Sequence, residues 1–166
     1  ALGLGGANAD TGVRAVLVNV QRGTASSEAY ELYLKGMYYW HERGAKNVAR
    51  SIELFQQAIA RDPKFARAYA ALAFAYETLG VYVPDPSDST FPLIKANARR
   101  ALALDSTLAD AQLAVAGPLS HEGRFAESEA HFRAAIRIEP SNEFAHHVFG
   151  AVLVALTRTN EAISEL

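Results

Sequence analysis

Large apolar and small residues recur at helical spacing along most of this 166-residue chain, and they do so in repeated blocks. Phe55-Gln56-Gln57-Ala58-Ile59-Ala60-Arg61-Asp62-Pro63, Ala98-Arg99-Arg100-Ala101-Leu102-Ala103-Leu104-Asp105-Ser106 and Phe132-Arg133-Ala134-Ala135-Ile136-Arg137-Ile138-Glu139-Pro140 share one pattern. Each carries an alanine three residues after its first residue and an acidic residue near its end, and two finish with proline. Each reads as a helix end, because proline lacks the N–H that would continue the ladder and biases the residue before it to extended geometry. A second pattern follows each ending. It is Ala68-Tyr69-Ala70-Ala71-Leu72-Ala73-Phe74-Ala75-Tyr76 with Leu79-Gly80, then Ala111 to Ala116 with Leu119 and Gly123, then Ala145 to Gly150 with Leu153. The small residues Ala73, Ala116 and Gly150 would let two helices of a hairpin approach closely.

A tandem of helix pairs with large, Leu-like, small and aromatic positions, a Gly turn, then Ala and aromatic positions ending in Pro resembles the tetratricopeptide repeat (TPR). The first repeat supplies Leu32, Gly36, Tyr39, Ser51, Phe55, Ala58 and Pro63, and the third Ala116, Leu119, Gly123, Phe125, Ser128, Phe132, Ala135 and Pro140. The resemblance implies an all-α fold: a right-handed superhelical TPR solenoid of antiparallel helix hairpins. It divides the chain into repeats at about 29–65, 66–108, 109–142 and a truncated 143–166. Residues 1–23 read as a linker or N-terminal extension and 24–166 as the repeat domain. The chain starts without Met and stops at Leu166 inside a helical pattern, so both ends read as those of a piece of a longer protein.

The spacing departs from regularity in two places. Gly36 to Ala73 is 37 residues, Ala73 to Ala116 is 43, and Ala116 to Gly150 is 34. The first hairpin therefore carries a few extra residues, around Arg43-Gly44-Ala45, and the second a longer insert, placed at Val81-Tyr82-Val83-Pro84-Asp85-Pro86-Ser87-Asp88-Ser89-Thr90 and expected to be a loop. Ser89 or Thr90 can cap the next helix, with Pro92 in its first turn. The insert is either tolerated at the solenoid edge or part of a partner site. Pro118, inside a helical pattern, predicts a kink or break.

Within the repeats, Glu28-Ala29-Tyr30-Glu31-Leu32-Tyr33-Leu34-Lys35-Gly36-Met37-Tyr38-Tyr39-Trp40, with Ser51 to Ala73, resembles the C-terminal TPR region of bacterial signalling regulators. There a winged-helix, cyclase-like or kinase domain precedes the repeats. The implied role is a protein–protein interaction or scaffolding module in such a regulator, with a cytoplasmic location. Self-association into a homo-oligomer and small-molecule sensing stand as alternatives.

The resemblance also assigns the concave face to the first helix of each hairpin. The groove candidates are Tyr30, Tyr33, Met37 and Trp40 in the first repeat, Arg67, Phe74 and Glu77 in the second, Asp110 and Leu113 in the third, and Phe144 and His147 in the fourth. Two Tyr, a Met and the single Trp form a stripe of the kind that anchors interfaces. Either the stripe is an open groove or it is core, covered by neighbouring helices or by the Val13–Val20 segment. TPR domains that grip a C-terminal carboxylate need Lys and Asn where this chain has Tyr33 and Met37, which argues against such a clamp and for an apolar peptide or amphipathic helix.

Composition narrows the chemistry. Lys and Arg (16) are slightly outnumbered by Asp and Glu (18), which argues against direct nucleic-acid contact. There is no cysteine, so no disulfide or thiolate metal site is available. No apolar run approaches the roughly 18 residues of a membrane span. The histidines (His41, His121, His131, His146, His147) include no i, i+4 pair of the kind that binds zinc on one helix. No phosphate-binding glycine loop or nucleophile elbow is present. The expectation is no enzyme activity, no cofactor and no metal.

Overall fold

Short polar signals mark several helix ends, and apolar faces pair the helices. The structure, a computed structural model, describes residues 23–84 and 89–165. The expected N-terminal extension, the Val13–Val20 cover and the middle of the insert (85–88) lie outside the described residues, apart from Gly23. Eight helices occur among the described residues: α1 (Ser27–His41), α2 (Ala45–Arg61), α3 (Ala66–Tyr82), α4 (Phe91–Leu104), α5 (Ala109–His121), α6 (Phe125–Ile138), α7 (Glu143–Ala155) and α8 (Thr159–Glu165). They pair in chain order as α1/α2, α3/α4, α5/α6 and α7/α8, and each hairpin packs on the next. First helices also touch first helices, α1 on α3 and α3 on α5, so these line one face of the stack. This is the all-α solenoid of helix hairpins expected from the repeats.

Caps explain the boundaries. Ser26 Oγ accepts from the Ala29 N–H (3.1 Å) at the start of α1, and Asn142 Oδ1 accepts from the Ala145 N–H (2.9 Å) at the start of α7. Asp62, Asp105 and Glu139, which end α2, α4 and α6, all have extended backbone (φ −140°, −152° and −135°). Asp62 Oδ1 accepts from the Lys64 N–H and Asp105 Oδ1 from the Thr107 N–H, both at 2.9 Å. The acidic residue thus ends the helix by folding its side chain onto the turn, with or without a following proline. That is why the second repeat stops correctly at Asp105-Ser106.

The core runs as overlapping clusters between hairpins. Phe55, Phe65, Phe132 and Phe149 are fully buried, each worth about 1.5–3 kcal/mol of transfer free energy. Alanines such as Ala70, Ala73, Ala98, Ala101, Ala111 and Ala114 fill the middle interface, where helices lie close. Gly36 is the tightest point described. A Cβ there would lie 2.5 Å from the Phe55 ring. In the third hairpin the buried Ser128 hydroxyl donates to the Ala116 carbonyl (2.8 Å) and is 2.6 Å from Ser120 Oγ.

A break at Pro118 and a loop from Val81 both need correction. Helix α5 continues unbroken through Pro118 to His121. Pro118 lies one turn from the helix end, where few ladder bonds remain, and it is buried between neighbours, so packing holds the helix together. Helix α3 also runs on through Val81 and Tyr82, so the insert begins as helix rather than loop. Thr90 does occupy the N-cap position of α4 with Pro92 in the first turn, but its side chain makes no capping bond.

The helix pairs α5/α6 and α7/α8 turn alike. The Arg124 N–H bonds to the Leu119 carbonyl and the Arg158 N–H to the Leu153 carbonyl, both at 2.9 Å. Between them the chain enters the left-handed region, at Gly123 (φ 74°) in one turn and Thr157 (φ 61°) in the other. Glycine takes this conformation freely, whereas a β-branched residue is strained there. Thr157→Gly should raise the thermal unfolding midpoint, with a gain of about 1 kcal/mol. A lower midpoint would show that the Thr157 side chain contributes more than its backbone strain costs. Gly36→Ala should destabilise by about 1–2 kcal/mol, the overpacking cost less the better helix propensity of alanine. Urea unfolding of the two proteins measures this, and an unchanged midpoint would mean that the α1/α2 spacing adjusts freely.

Candidate partner-binding groove

The inner face of the stack is built from α1, α3, α5 and α7, and its centre is aromatic. Trp40 on α1, Phe74 on α3 and Phe144 on α7 meet with centroid separations of 6.5 Å (Trp40–Phe74), 6.5 Å (Trp40–Phe144) and 5.6 Å (Phe74–Phe144). The last two contacts are edge-to-face, a favourable ring geometry. The first and fourth hairpins therefore touch across the groove. Trp40 is fixed by its indole N–H, which donates to Thr78 Oγ1 (3.0 Å), while Thr78 Oγ1 donates to the Phe74 carbonyl (2.7 Å). The Arg43 guanidinium lies over the Trp40 ring, 5.4 Å from its centroid. Arg43 reaches this position because the α1/α2 turn places it at φ 58° before Gly44 at φ 84°.

Two chambers flank the aromatic bridge and share Trp40, Arg43, Phe74 and Phe144 in their walls. The first, about 260 Å³, adds Tyr33, Met37, His41, Ala71, Asp110 and Asn142. The second, about 290 Å³, adds Glu77, Thr78, Val81, Tyr82, Leu113, Gly117, Phe132 and Val148. A side cavity of about 180 Å³ opens beyond Glu77 and Gly117, toward Phe91, Pro118 and His121.

The charges in these walls are shaped by burial. Burial, aided by the Asp110 charge, pushes the Tyr33 phenol up to about 12, with Arg67 opposing. Burial also raises the Asp110 carboxyl, and Arg67 again opposes. Glu77 is raised by burial as well, with His121 pulling it back down. The Glu77 side chain is nonetheless exposed to solvent along the groove. Gly117 faces its carboxylate so closely that a Cβ there would lie 3.3 Å from Oε1.

Most of the groove candidates come together here. Tyr33, Met37, Trp40, Phe74, Glu77, Asp110, Leu113 and Phe144 line one or both chambers. Leu113 belongs mainly to the core, at 3% exposure. Tyr30, Arg67 and His147 line neither chamber. Tyr30 stacks on Tyr33 (6.2 Å), Arg67 acts electrostatically on Asp110 and Tyr33, and His147 is exposed. The aromatic stripe of α1 is both wall and core, since Tyr33, Met37 and Trp40 also pack against Phe55 and its neighbours. Sequence reasoning missed Arg43, Thr78, Tyr82 and Phe132 as groove residues. Arg43 and Tyr82 carried a signal, Arg43 in the extra residues of the first hairpin and Tyr82 in the insert of the second. Among the described residues no group of His, Asp or Glu could hold a metal ion, and no helix is long and apolar enough to cross a membrane.

The fold is that of the tetratricopeptide solenoid, and solved structures of this kind align with it. The first TPR of Spaghetti (RPAP3), bound to the HSP90 peptide SRMEEVD, aligns with a TM-score of 0.60 at 19% identity, covering 80% of this chain and 95% of that one. A thermophilic TPR protein of Thermus thermophilus aligns with a TM-score of 0.71 at 17% identity, covering 84% and 71%. MamA aligns with a TM-score of 0.56 at 19% identity, covering 99% and 91%. No family model and no curated protein matches the sequence.

The raised Glu77 carboxyl makes stability depend on pH. A carboxyl whose folded-state value lies above its unfolded one contributes stability that is complete below the unfolded value and is lost as pH rises through the folded value. The charges around it are His121 on α5 and Arg43 in the chamber wall. Glu77→Gln should therefore flatten the fall in urea-unfolding free energy from about pH 4 upward, where carboxylates titrate. At neutral pH the variant should be at least as stable as the parent. Parallel profiles for the two proteins would show that burial does not penalise the Glu77 charge.

Proposed function

We propose that this chain is a protein–protein interaction module that takes apolar side chains of an extended peptide into the two chambers beside Trp40, Phe74 and Phe144. The observation that carries this reading is the aromatic bridge itself. Three rings meet at the centre of a concave face and leave open apolar space on both sides. Small apolar cavities with a few polar groups are the usual form of a recognition site. Because Phe144 touches Trp40, a helix about 10 Å across would have to part the bridge to lie along the groove. An extended chain can instead set alternate side chains into alternate chambers.

An acidic tail fits poorly, since the groove offers Glu77 and Asp110 as well as Arg43. The peptide SRMEEVD held by the first TPR of Spaghetti has three acidic side chains, which suits a different groove. The similarity of the Glu28–Trp40 run to regulator repeats supports placing the module in a bacterial signalling protein.

The test is selection of a random phage-displayed peptide library on the whole chain, followed by fluorescence titration of the selected peptides. The chain has one tryptophan, so emission reports on Trp40 in the parent and in Phe144→Ala, and calorimetric titration measures Trp40→Ala, which has none. Trp40→Ala should weaken binding about 30-fold or more, as truncating a central aromatic anchor does. Phe144→Ala should weaken it by a smaller factor. Peptides that bind both variants as tightly as the parent would refute the groove. Light scattering that shows a dimer whose dissociation frees Trp40 would replace the peptide by a second copy of the chain.

A further inference from the structure

Glu77 stands out among the acids of the inner face. Several carboxylates of the described structure pair with nearby cations: Glu122 with Lys95 and Arg124, Glu129 with Arg133 and Arg158, and Glu28 with Arg61. Asp110, the other groove acid, has Arg67 as an electrostatic neighbour. The Glu77 carboxylate makes no ion pair or hydrogen bond among the described residues. Its electrostatic neighbour is His121. Arg43, the cation of the same chamber, is instead held over the Trp40 ring.

Glu77 is exposed along the groove, and a carboxylate without a paired cation beside an apolar wall is complementary to a cation brought by a ligand. The space beside Glu77 suits one. The chamber of about 290 Å³ has Trp40, Phe74, Tyr82 and Phe144 in its walls, and Gly117 approaches the carboxylate without adding a side chain to the chamber. Aromatic faces next to a carboxylate form a setting for a guanidinium or ammonium group, which gains from ring quadrupoles and from a charge-assisted hydrogen bond. Arg43 on Trp40 shows that the aromatic wall of this chamber already accepts a guanidinium.

We infer that the partner peptide places a lysine or arginine side chain in the second chamber, with its charged end on Glu77 and its stem against the aromatic wall. The inference rests on the groove reading above and specifies the chemistry of its partner. A basic residue next to an apolar anchor then becomes the recognition pattern.

The test uses the same phage-displayed library on the whole chain and on Glu77→Gln, with circular dichroism to confirm that the variant folds. Peptides selected on the parent should be enriched in Lys or Arg at a fixed distance from an apolar residue, and those selected on the variant should lose that enrichment. One basic peptide and its neutral analogue, with citrulline for arginine or norleucine for lysine, are then titrated against both proteins. Either change alone should weaken binding about tenfold, and the two together little more, because both remove one contact. Losses that multiply would overturn the inference. Selection of apolar peptides without basic residues, still sensitive to Trp40→Ala, would also overturn it while leaving the groove in place. Failure to select any peptide dependent on Trp40 would overturn both.

Discussion

The close approach of paired helices sets everything else in this structure. Gly36 under the Phe55 ring, the alanine-filled interface around Ala73 and Ala98, and Ala116 beneath Ser128 are three versions of one contact. Each permits a hairpin narrow enough for the next to stack at a small, constant rotation. Large residues then fill the outer part of each interface, as Phe132 and Phe149 do with centroids 5.2 Å apart. Stability in such a stack is a chain of nearest-neighbour terms. No single core spans the molecule, yet the summed rotations decide which distant residues meet.

The groove is the product of that sum. Trp40 and Phe144 are separated by the whole array, and nothing local directs one to the other. They touch because four hairpins curve far enough to bring the first and last inner helices into contact. The bridge divides one concave surface into two chambers and ties the array end to end. Trp40 is central to both effects. Its ring faces Phe74 and Arg43, its edge meets Phe144, and its N–H reaches Thr78 on the next hairpin.

Much of the fold was legible in the sequence because its determinants are short-range. Helix ends were marked by Asp62-Pro63 and Glu139-Pro140, and small contact positions by Gly36, Ala116 and Gly150. Pro118 misled, because local sterics predict damage while the burial that holds α5 together is tertiary. Val81 and Tyr82 misled similarly, since the prolines beyond them suggested a loop that starts two residues later. In the groove, residues on first helices were readable through the resemblance to the repeat family. Phe132 was not, because it reaches the second chamber from a second helix. Arg43 was not, because its place over Trp40 depends on two consecutive positive φ angles.

The acids of the inner face show why shape alone underdescribes this groove. An apolar surface with no charge would bind through area, and area discriminates poorly between partners of similar size. Glu77 and Asp110 change that, because a wrong occupant would have to bury them unpaired. In the proposed complex, the two carboxylates would disfavour neutral or acidic segments. Asp110 is partly relieved by Arg67 and so adds little demand of its own. Among the described residues His121 is the cation that opposes the raised Glu77 carboxyl, from the side cavity, and the exposed side of Glu77 faces the chamber. In the proposed complex a basic side chain of the partner would supply the positive charge that the chamber does not place on Glu77.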